Sequence, residues 1–154
     1  MSLLKEGDKA PEFSAVDQDG NNLSLSSLKG NKVILYFYPK DNTPGCTKEA
    51  CNFRDHFEEL TNHGFEVIGV SPDSDESHIK FKDKYKLPFR LIPDPEKEIL
   101  KLYGAWGEKK MYGKLSKGVL RTTYVIDEEG IIVKVINKVD TKNHTEQIFK
   151  ELSK

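Results

Sequence analysis

Two cysteines, Cys46 and Cys51, are the only thiol-bearing residues in this chain of 154 residues. A thiolate is a good nucleophile, and two thiols this close in sequence can combine as a disulfide. In a reducing cytosol such a pair is more often catalytic or redox-active than structural. The chemistry to look for is therefore thiol chemistry, and the first question is how the chain positions the two sulfur atoms.

The residues before Cys46 predict that it lies in the first turn of a helix. Thr43 is a favoured N-cap residue, and Pro44 suits the first helical position because no amide donor is needed there. The free N–H groups and the dipole of a helix start favour an anion, so we expect the thiolate form of Cys46 to be favoured over the thiol. The helix is predicted to extend to residue 62, because apolar residues recur at helical spacing: Ala50, Phe53, Phe57 and Leu60.

The spacing of the two cysteines constrains how they react with each other. Residues five apart on a helix point about 140° away from each other. A disulfide needs Cα atoms within about 7 Å and converging Cβ atoms. We therefore expect Cys46 to be oxidised while the helix is intact, and the first turns to unwind before Cys51 can reach it.

The elements that hold this helix form a β-α-β unit. The apolar run at residues 33–38 predicts a strand buried on both faces and ended by Pro39, and residues 65–71 predict a second strand, parallel to the first. The other predicted elements are a β-hairpin within residues 13–28, a helix from Ser74 to before Pro88, a strand at 89–92, a helix at 95–103, an exposed loop at 104–118, strands at 119–126 and 131–136, and a helix at 141–152.

This order of elements predicts one α/β domain over residues 1–154 with a thioredoxin-like fold, in which helices flank a central mixed β-sheet and the N-terminal hairpin is an extension. The net charge is −1, so no basic surface is expected to bind nucleic acid or an anionic membrane. No apolar stretch approaches the roughly 20 residues of a membrane span. The charged first nine residues do not resemble a secretion signal, so we expect a cytoplasmic protein.

The segment YPKDNTPGCT at residues 38–47 carries Pro39, Thr43 and Cys46 as P-x-x-x-T-x-x-C, which resembles the active-site motif of peroxiredoxins. With Cys51 it is similar to one branch of that family, the bacterioferritin comigratory proteins or peroxiredoxins Q. The resemblance covers nearly the whole chain.

This resemblance implies a role for each matching residue. Cys46 would be the peroxidatic cysteine, Cys51 the resolving cysteine and Arg121 the active-site arginine, with Thr43 and Pro39 shaping the pocket. The implied protein is a thiol-specific peroxidase that reduces hydrogen peroxide and organic hydroperoxides through a sulfenic acid. It would be an antioxidant enzyme without a cofactor, recycled by thioredoxin, and a monomer as in many members of the branch.

The remaining candidate residues have a structural interpretation. Glu49 is interpreted as a solvated or capping acid, and Trp106 with the Lys109-Lys110 pair as part of an exposed loop. No metal is predicted, because the histidines lack the spacing of metal ligands and are interpreted as surface or capping residues: His56, His63, His78 and His144.

Two other functions fit a cysteine pair. The first is a thiol-disulfide oxidoreductase, although the spacing is Cys-x4-Cys rather than Cys-x-x-Cys and no proline precedes Arg121. The second is a non-catalytic redox sensor or holdase, in which the Cys46–Cys51 disulfide exposes a binding surface. Slow stoichiometric oxidation without turnover would favour the sensor.

Overall fold

The computed structural model describes residues 4–111 and 113–154, and strands alternate with helices along most of the chain. The strands are β1 (Ser14–Val16), β2 (Asn22–Ser24), β3 (Lys32–Phe37), β4 (Phe65–Ser71), β5 (Arg90–Pro93), β6 (Trp106–Met111), β7 (Lys114–Val119), β8 (Thr122–Ile126) and β9 (Ile132–Ile136). The helices are α1 (Pro44–Asp55), α2 (Phe57–Asn62), α3 (Asp75–Tyr85), α4 (Glu98–Leu102) and α5 (His144–Leu152), with a 3-10 turn at Ser26–Leu28.

Strand β3 is the centre of a five-stranded sheet with the order β5-β4-β3-β8-β9. It runs parallel to β4 and antiparallel to β8, so the sheet is mixed. Alternate side chains of β3 enter two separate cores, Leu35 and Phe37 on one face and Ile34 and Tyr36 on the other, and none is more than 1% exposed. The prediction of a strand buried on both faces is confirmed.

Each face of the sheet is covered by different elements. Helices α1, α2, α3 and α5 contribute Phe53, Leu60, Phe81 and Ile148 to one core. Helix α4 and the β1–β2 hairpin contribute Leu100 and Leu23 to the other. This is the predicted thioredoxin-like arrangement with its N-terminal hairpin extension, and α1, the helix of the two cysteines, packs on the face that contains Tyr36.

The predicted loop at 104–118 is wrong, because β6 and β7 form an antiparallel hairpin in which Trp106 pairs with Val119. Most described side chains of β7 are exposed, so neither face of this hairpin requires an apolar alternation. The β6–β7 hairpin therefore leaves no recognisable strand pattern in a sequence rich in Gly and Lys. The predicted strand at 119–126 is divided accordingly: Val119 ends β7, and β8 begins at Thr122.

The predicted single helix up to residue 62 is interrupted at His56. This residue has φ −107° and ψ 13°, and it separates α1 from α2. Its ring nitrogen Nδ1 lies 2.8 Å from the carbonyl oxygen of Asn52. The helix that carries the cysteines is thus a separate unit of 12 residues.

None of the helices within the described part of the chain is both long and apolar enough to span a membrane.

Candidate active site

The pairing of β3 with β8 brings Cys46 and Arg121 together from distant parts of the sequence. Phe37 at the end of β3 pairs with Thr122 at the start of β8. Because the strands are antiparallel, the chain that leaves β3 towards α1 lies beside the residue that precedes β8, which is Arg121. The site therefore forms at one end of the central strands.

Cys46 lies in the first turn of α1 and is 2% exposed. Thr43 occupies the N-cap position with an extended backbone, as predicted, but its hydroxyl does not cap the helix. It donates instead to the carbonyl oxygen of Lys40 at 2.8 Å. The first-turn N–H groups of α1, which have no acceptor within the helix, thus donate no hydrogen bond to the Thr43 hydroxyl. The Cys46 side chain is therefore almost completely shielded from solvent.

The guanidinium of Arg121 contacts two groups of α1. Nη2 donates to Sγ of Cys46 at 3.2 Å, and Nη1 donates to Oε1 of Glu49 at 2.6 Å. Nη2 also passes 3.4 Å from the position that a Cβ would take on Gly45, so it lies directly against the first turn. A planar fork can hold both contacts at once, and the sulfur faces a fixed positive charge.

Glu49 is the site residue that the sequence interpretation missed. It is fully buried rather than solvated, and Arg121 is its ion-pair partner. Burial raises the pKa of Glu49 to about 7, although the charge and hydrogen bond of Arg121 oppose this rise. A signal was present, because Glu49 is three residues after Cys46 and shares its helix face. An acid on a buried stripe needs a partner.

His144, at the start of α5, is also buried, which corrects its interpretation as a surface residue. Its Nε2 lies 2.7 Å from Oγ1 of Thr123 and 3.5 Å from Oε2 of Glu49. Burial lowers the pKa of His144 to about 4, with Arg121 adding to the effect and Gln147 opposing it. Both shifts favour neutral side chains, so this contact is not an ion pair at neutral pH.

His78 is the second buried histidine, and it fixes the segment that leads into α1. Its Nδ1 lies 2.7 Å from Oδ2 of Asp41, and its Nε2 lies 3.1 Å from the carbonyl oxygen of Ile92. Asp41 also accepts hydrogen bonds from Tyr38 and Ser77. These contacts hold the chain between β3 and the cysteine helix against α3.

Asp41 and His78, together with Asp73, place three potential metal-ligand atoms within 4.8 Å of one another. Oδ2 of Asp73 accepts hydrogen bonds from the backbone N–H of Asp41 and from Ser71. Because the carboxylates accept protein hydrogen bonds and both nitrogens of His78 face oxygen atoms, the cluster is explained as a hydrogen-bond network.

Cys51 lies on α1 as well, half-buried, and both cysteines are free. Burial raises the pKa of the Cys51 thiol. The residues that follow it are anchored to other elements: Asn52 bonds to the N-terminal region of α5, and Arg54 donates to the carbonyl oxygen of Tyr85 at 2.8 Å. Pro39 lies half-buried between β3 and α1, and its role in shaping a pocket stays a prediction.

The chain is similar to known proteins in both sequence and fold. The AhpC/TSA family model matches residues 6–135. Peroxiredoxin Bcp of Bacillus subtilis (strain 168) is 44% identical over 149 residues, which cover 97% of this chain and 95% of that protein. Peroxiredoxin Bcp of Escherichia coli (strain K12) is 41% identical, with coverage of 97% and 96%. A solved structure of peroxiredoxin Q from Xanthomonas campestris is 33% identical with a TM-score of 0.85, and the match covers 92% of this chain and 90% of that one.

Proposed function

This chain belongs to the AhpC/TSA family and is a peroxiredoxin, a peroxidase among the oxidoreductases, and on that premise we propose that Cys46 is the thiol that reacts with the peroxide. One observation carries the proposal: Nη2 of Arg121 lies 3.2 Å from Sγ of Cys46 in the first turn of a helix. A cation and a helix start face the same sulfur, and both stabilise negative charge beside it.

The proposed reaction begins with attack of the Cys46 thiolate on one peroxide oxygen. A sulfur–oxygen bond forms, the oxygen–oxygen bond breaks, and the second oxygen leaves with the electron pair and takes up a proton. The products are a sulfenic acid and water or an alcohol. Negative charge moves from sulfur to the leaving oxygen, so N–H donors of Arg121 and of the helix start stabilise the transition state more than the ground state.

Thr43 and Pro39 complete the proposed pocket. The Thr43 hydroxyl donates its hydrogen to Lys40, so its oxygen is left to accept the hydrogen of a bound peroxide. Pro39 offers no N–H group and limits the backbone conformations between β3 and the helix. We propose hydrogen peroxide and small organic hydroperoxides as substrates, because the Cys46 residue is only 2% exposed.

Cys51 is the proposed resolving cysteine. Its thiol displaces water from the Cys46 sulfenic acid, which forms a disulfide between the two sulfurs. While α1 is intact the two side chains diverge, and burial keeps the pKa of Cys51 raised. Unwinding of the first turns removes both obstacles, because it exposes Cys51 and lets the sulfurs meet. A dithiol protein, which we propose is thioredoxin, then reduces the exposed disulfide.

The test is intact mass after brief treatment with one equivalent of hydrogen peroxide and a sulfenic-acid trap. The expected result is that Cys51→Ser gains one trap adduct, Cys46→Ser stays reduced, and the unsubstituted protein loses two hydrogens. Rapid oxidation of Cys46→Ser would show that Cys46 is not the nucleophile. Addition of thioredoxin, its reductase and NADPH should then give multiple turnovers, whereas a redox sensor would stop after one.

A further inference from the structure

A buried contact behind Arg121 has no part in the reaction described above. Oε2 of Glu49 lies 3.5 Å from Nε2 of His144, and both side chains are 0% exposed. Among the described residues, Oε2 has no hydrogen-bond partner, whereas Oε1 of the same carboxyl is bonded to Arg121. A buried carboxylate oxygen without a hydrogen-bond donor requires an explanation.

The surroundings of His144 determine where its ring hydrogen lies. The backbone N–H of Asp140 donates to Oε1 of Gln147, and Nε2 of Gln147 donates to the carbonyl oxygen of Lys138, which fixes the orientation of the amide. Oε1 of Gln147 therefore faces Nδ1 of His144, at 2.8 Å, and Nδ1 must carry a hydrogen. In a neutral ring, Nε2 then has a lone pair, which faces Glu49 and Thr123.

The Thr123 hydroxyl, at 2.7 Å, donates to this lone pair, so Nε2 offers no hydrogen to Oε2 of Glu49. An ionised Oε2 would then be a buried anion without a donor, and one added proton on the pair removes that cost. That proton can reside on Glu49 with a neutral His144, or on His144 with an ionised Glu49. In either case the pair holds one proton more than an ionised carboxylate beside a neutral imidazole.

We propose that Glu49 and His144 hold one shared proton while Cys46 is a thiolate, release it when Cys46 becomes a sulfenic acid, and so act through Arg121 as positioning residues. The inference rests on Cys46 as the reacting thiol of the proposed function. Arg121 connects the two events, because one nitrogen of its guanidinium contacts Glu49 and another contacts the sulfur.

The charge of Arg121 explains why the shared proton is held in the thiolate state and released in the sulfenic acid state. While the sulfur is a thiolate, it balances the guanidinium, and a second anion on Glu49 would be buried in excess. The sulfenic acid is neutral, so Arg121 then needs Glu49 as its counter-ion. The leaving oxygen takes up one proton and Glu49 gives up one, so the pocket keeps its net charge.

The other polar groups near the pair are consistent with this assignment. Burial raises the pKa of Glu49 and lowers that of His144, which places the proton on the carboxyl. Tyr36 is fully buried, and its own pKa is raised by burial and by the charges of Glu49 and Cys46, so it stays neutral. Asp140 favours a charged His144, but its effect is smaller than those of burial and of Arg121.

Proton uptake during oxidation tests the proposal. The Cys51→Ser protein is mixed with one equivalent of hydrogen peroxide in a weakly buffered solution, in which a pH indicator reports the protons taken up. The ultraviolet absorbance of the thiolate reports how much thiolate is lost. The quantity compared is the number of protons taken up per thiolate lost. Since the pKa of Glu49 is about 7, the measurement is made at pH 6 and pH 8.5. Glu49→Gln in the same background is the comparison, because the amide resembles a protonated carboxyl but cannot release a proton.

At pH 6 we expect the parent to take up less than about half as many protons per thiolate as Glu49→Gln, and the two to converge at pH 8.5, where Glu49 is already ionised. His144→Gln should raise the uptake at pH 6 towards that of Glu49→Gln, because an amide N–H satisfies an ionised Glu49; a merely structural histidine would leave the uptake unchanged. Glu59→Gln on the exposed side of α2 is the matched control.

Equal uptake by the parent and Glu49→Gln at pH 6 would overturn the inference and leave the proposed function intact. Absence of the sulfenic acid from Cys51→Ser, checked by mass in the same samples, would overturn the proposed function and this inference with it.

Discussion

Arg121 makes two contacts that only a forked side chain can make together, with Sγ of Cys46 and with Oε1 of Glu49. Glu49 holds one arm of the guanidinium, which leaves the other arm against the sulfur. The contact between Glu49 and Arg121 is mostly shielded from water, since the side chains are 0% and 23% exposed. The position of the cation thus depends on Glu49 as well as on Arg121.

Arg121→Lys should therefore impair catalysis although it keeps the charge. The three N–H groups of an ammonium leave a single nitrogen and cannot reproduce the two aligned contacts of the planar fork. We therefore expect kcat/KM for hydrogen peroxide to fall by about 100- to 1000-fold, as for loss of one aligned donor in other active sites. Stopped-flow peroxide consumption measures it. Arg90→Lys, at a 43% exposed side chain on β5, is the control and should leave kcat/KM unchanged. A loss of less than about threefold would contradict the bridging role.

Glu49 and His144 should also make opposite contributions to the dependence of stability on pH. Burial raises the pKa of Glu49 from 4.5 to about 7 and lowers that of His144 from 6.5 to about 4. Between about pH 4.5 and 6.5 the folded protein holds the proton on Glu49, and the unfolded chain holds one on His144. The proton counts are equal, so this pair adds almost no slope to the unfolding free energy.

Substitution of either residue should reveal the pH dependence of the unfolding free energy that the other residue causes. In Glu49→Gln only the folded state lacks the proton of His144, so the unfolding free energy should rise with pH by up to about 1.4 kcal/mol per unit between pH 4 and 6.5, relative to the parent. In His144→Leu, which offers an ionised Glu49 no donor, only the raised pKa of Glu49 remains, and stability should fall as pH rises from 4.5 to 7. Urea unfolding at several pH values measures both, and parallel curves would contradict the assignment.

At the scale of elements, the proposed mechanism requires α1 to position Cys46 and then to unwind. Its C-terminal end is held by Asn52, which accepts from the N–H of Thr145 at 2.7 Å and donates to the carbonyl oxygen of Lys142 and to Glu146. Asn52 thereby caps α5 from a different helix. The break at His56 separates α1 from α2.

This anchoring predicts which residues unwind when the disulfide forms. Amides of residues 46–51 should lose protection from hydrogen exchange by at least about tenfold in the disulfide form, while α2 keeps its protection beyond the break. Hydrogen-exchange mass spectrometry of both redox states measures this, with Cys51→Ser after peroxide treatment as the control. Equal protection of residues 46–51 in both states would contradict an unwinding step.

Removal of the Asn52 amide should destabilise the whole domain. Asn52→Ala leaves the buried N–H of Thr145 without its acceptor, which should lower the unfolding free energy by about 1–3 kcal/mol. Asn62→Ala, at an exposed position on α2, is the matched control and should change it by less than about 0.5 kcal/mol. Urea denaturation measures both, and equal effects would show that the interhelical cap is unimportant.

At the scale of the whole molecule, protein groups cover part of both edges of the central sheet. On β5, the N–H and the carbonyl oxygen of Leu91 pair with Gln18 of the N-terminal hairpin. On β9, the corresponding groups of Ile132 pair with Asp8 and Gly7. Covered edges do not add strands from another chain. The exposed large apolar side chains of the described residues lie on four different elements: Val16, Ile79, Leu102 and Leu115.

We therefore expect a monomer in both redox states, because a stable interface needs a contiguous apolar patch or a free strand edge. Sedimentation velocity of the reduced and disulfide forms should give the mass of one chain over a wide concentration range. A dimer that appears only after oxidation would instead indicate that unwinding of α1 uncovers an interface.

Local sequence determined much of the fold and part of the site. The strand at 33–38 and the helix start at Thr43-Pro44 could be predicted from short-range rules, since side-chain periodicity and backbone preferences are properties of a few neighbouring residues. They placed Cys46 at a helix start above the core. Arg121 was identified through resemblance to a family motif, because no local property distinguishes it from a surface arginine.

The tertiary structure alone decided which polar residues were buried. Glu49 and His144 are separated by 95 positions and meet only because α5 packs against α1, so neither burial nor pKa could be calculated from neighbours in sequence. The β6–β7 hairpin was not predicted for a related reason. Its backbone pairing leaves most described side chains of β7 exposed, so no alternation of apolar and polar residues is required. Long-range pairing and packing are properties of the folded chain, and short sequence windows do not contain them.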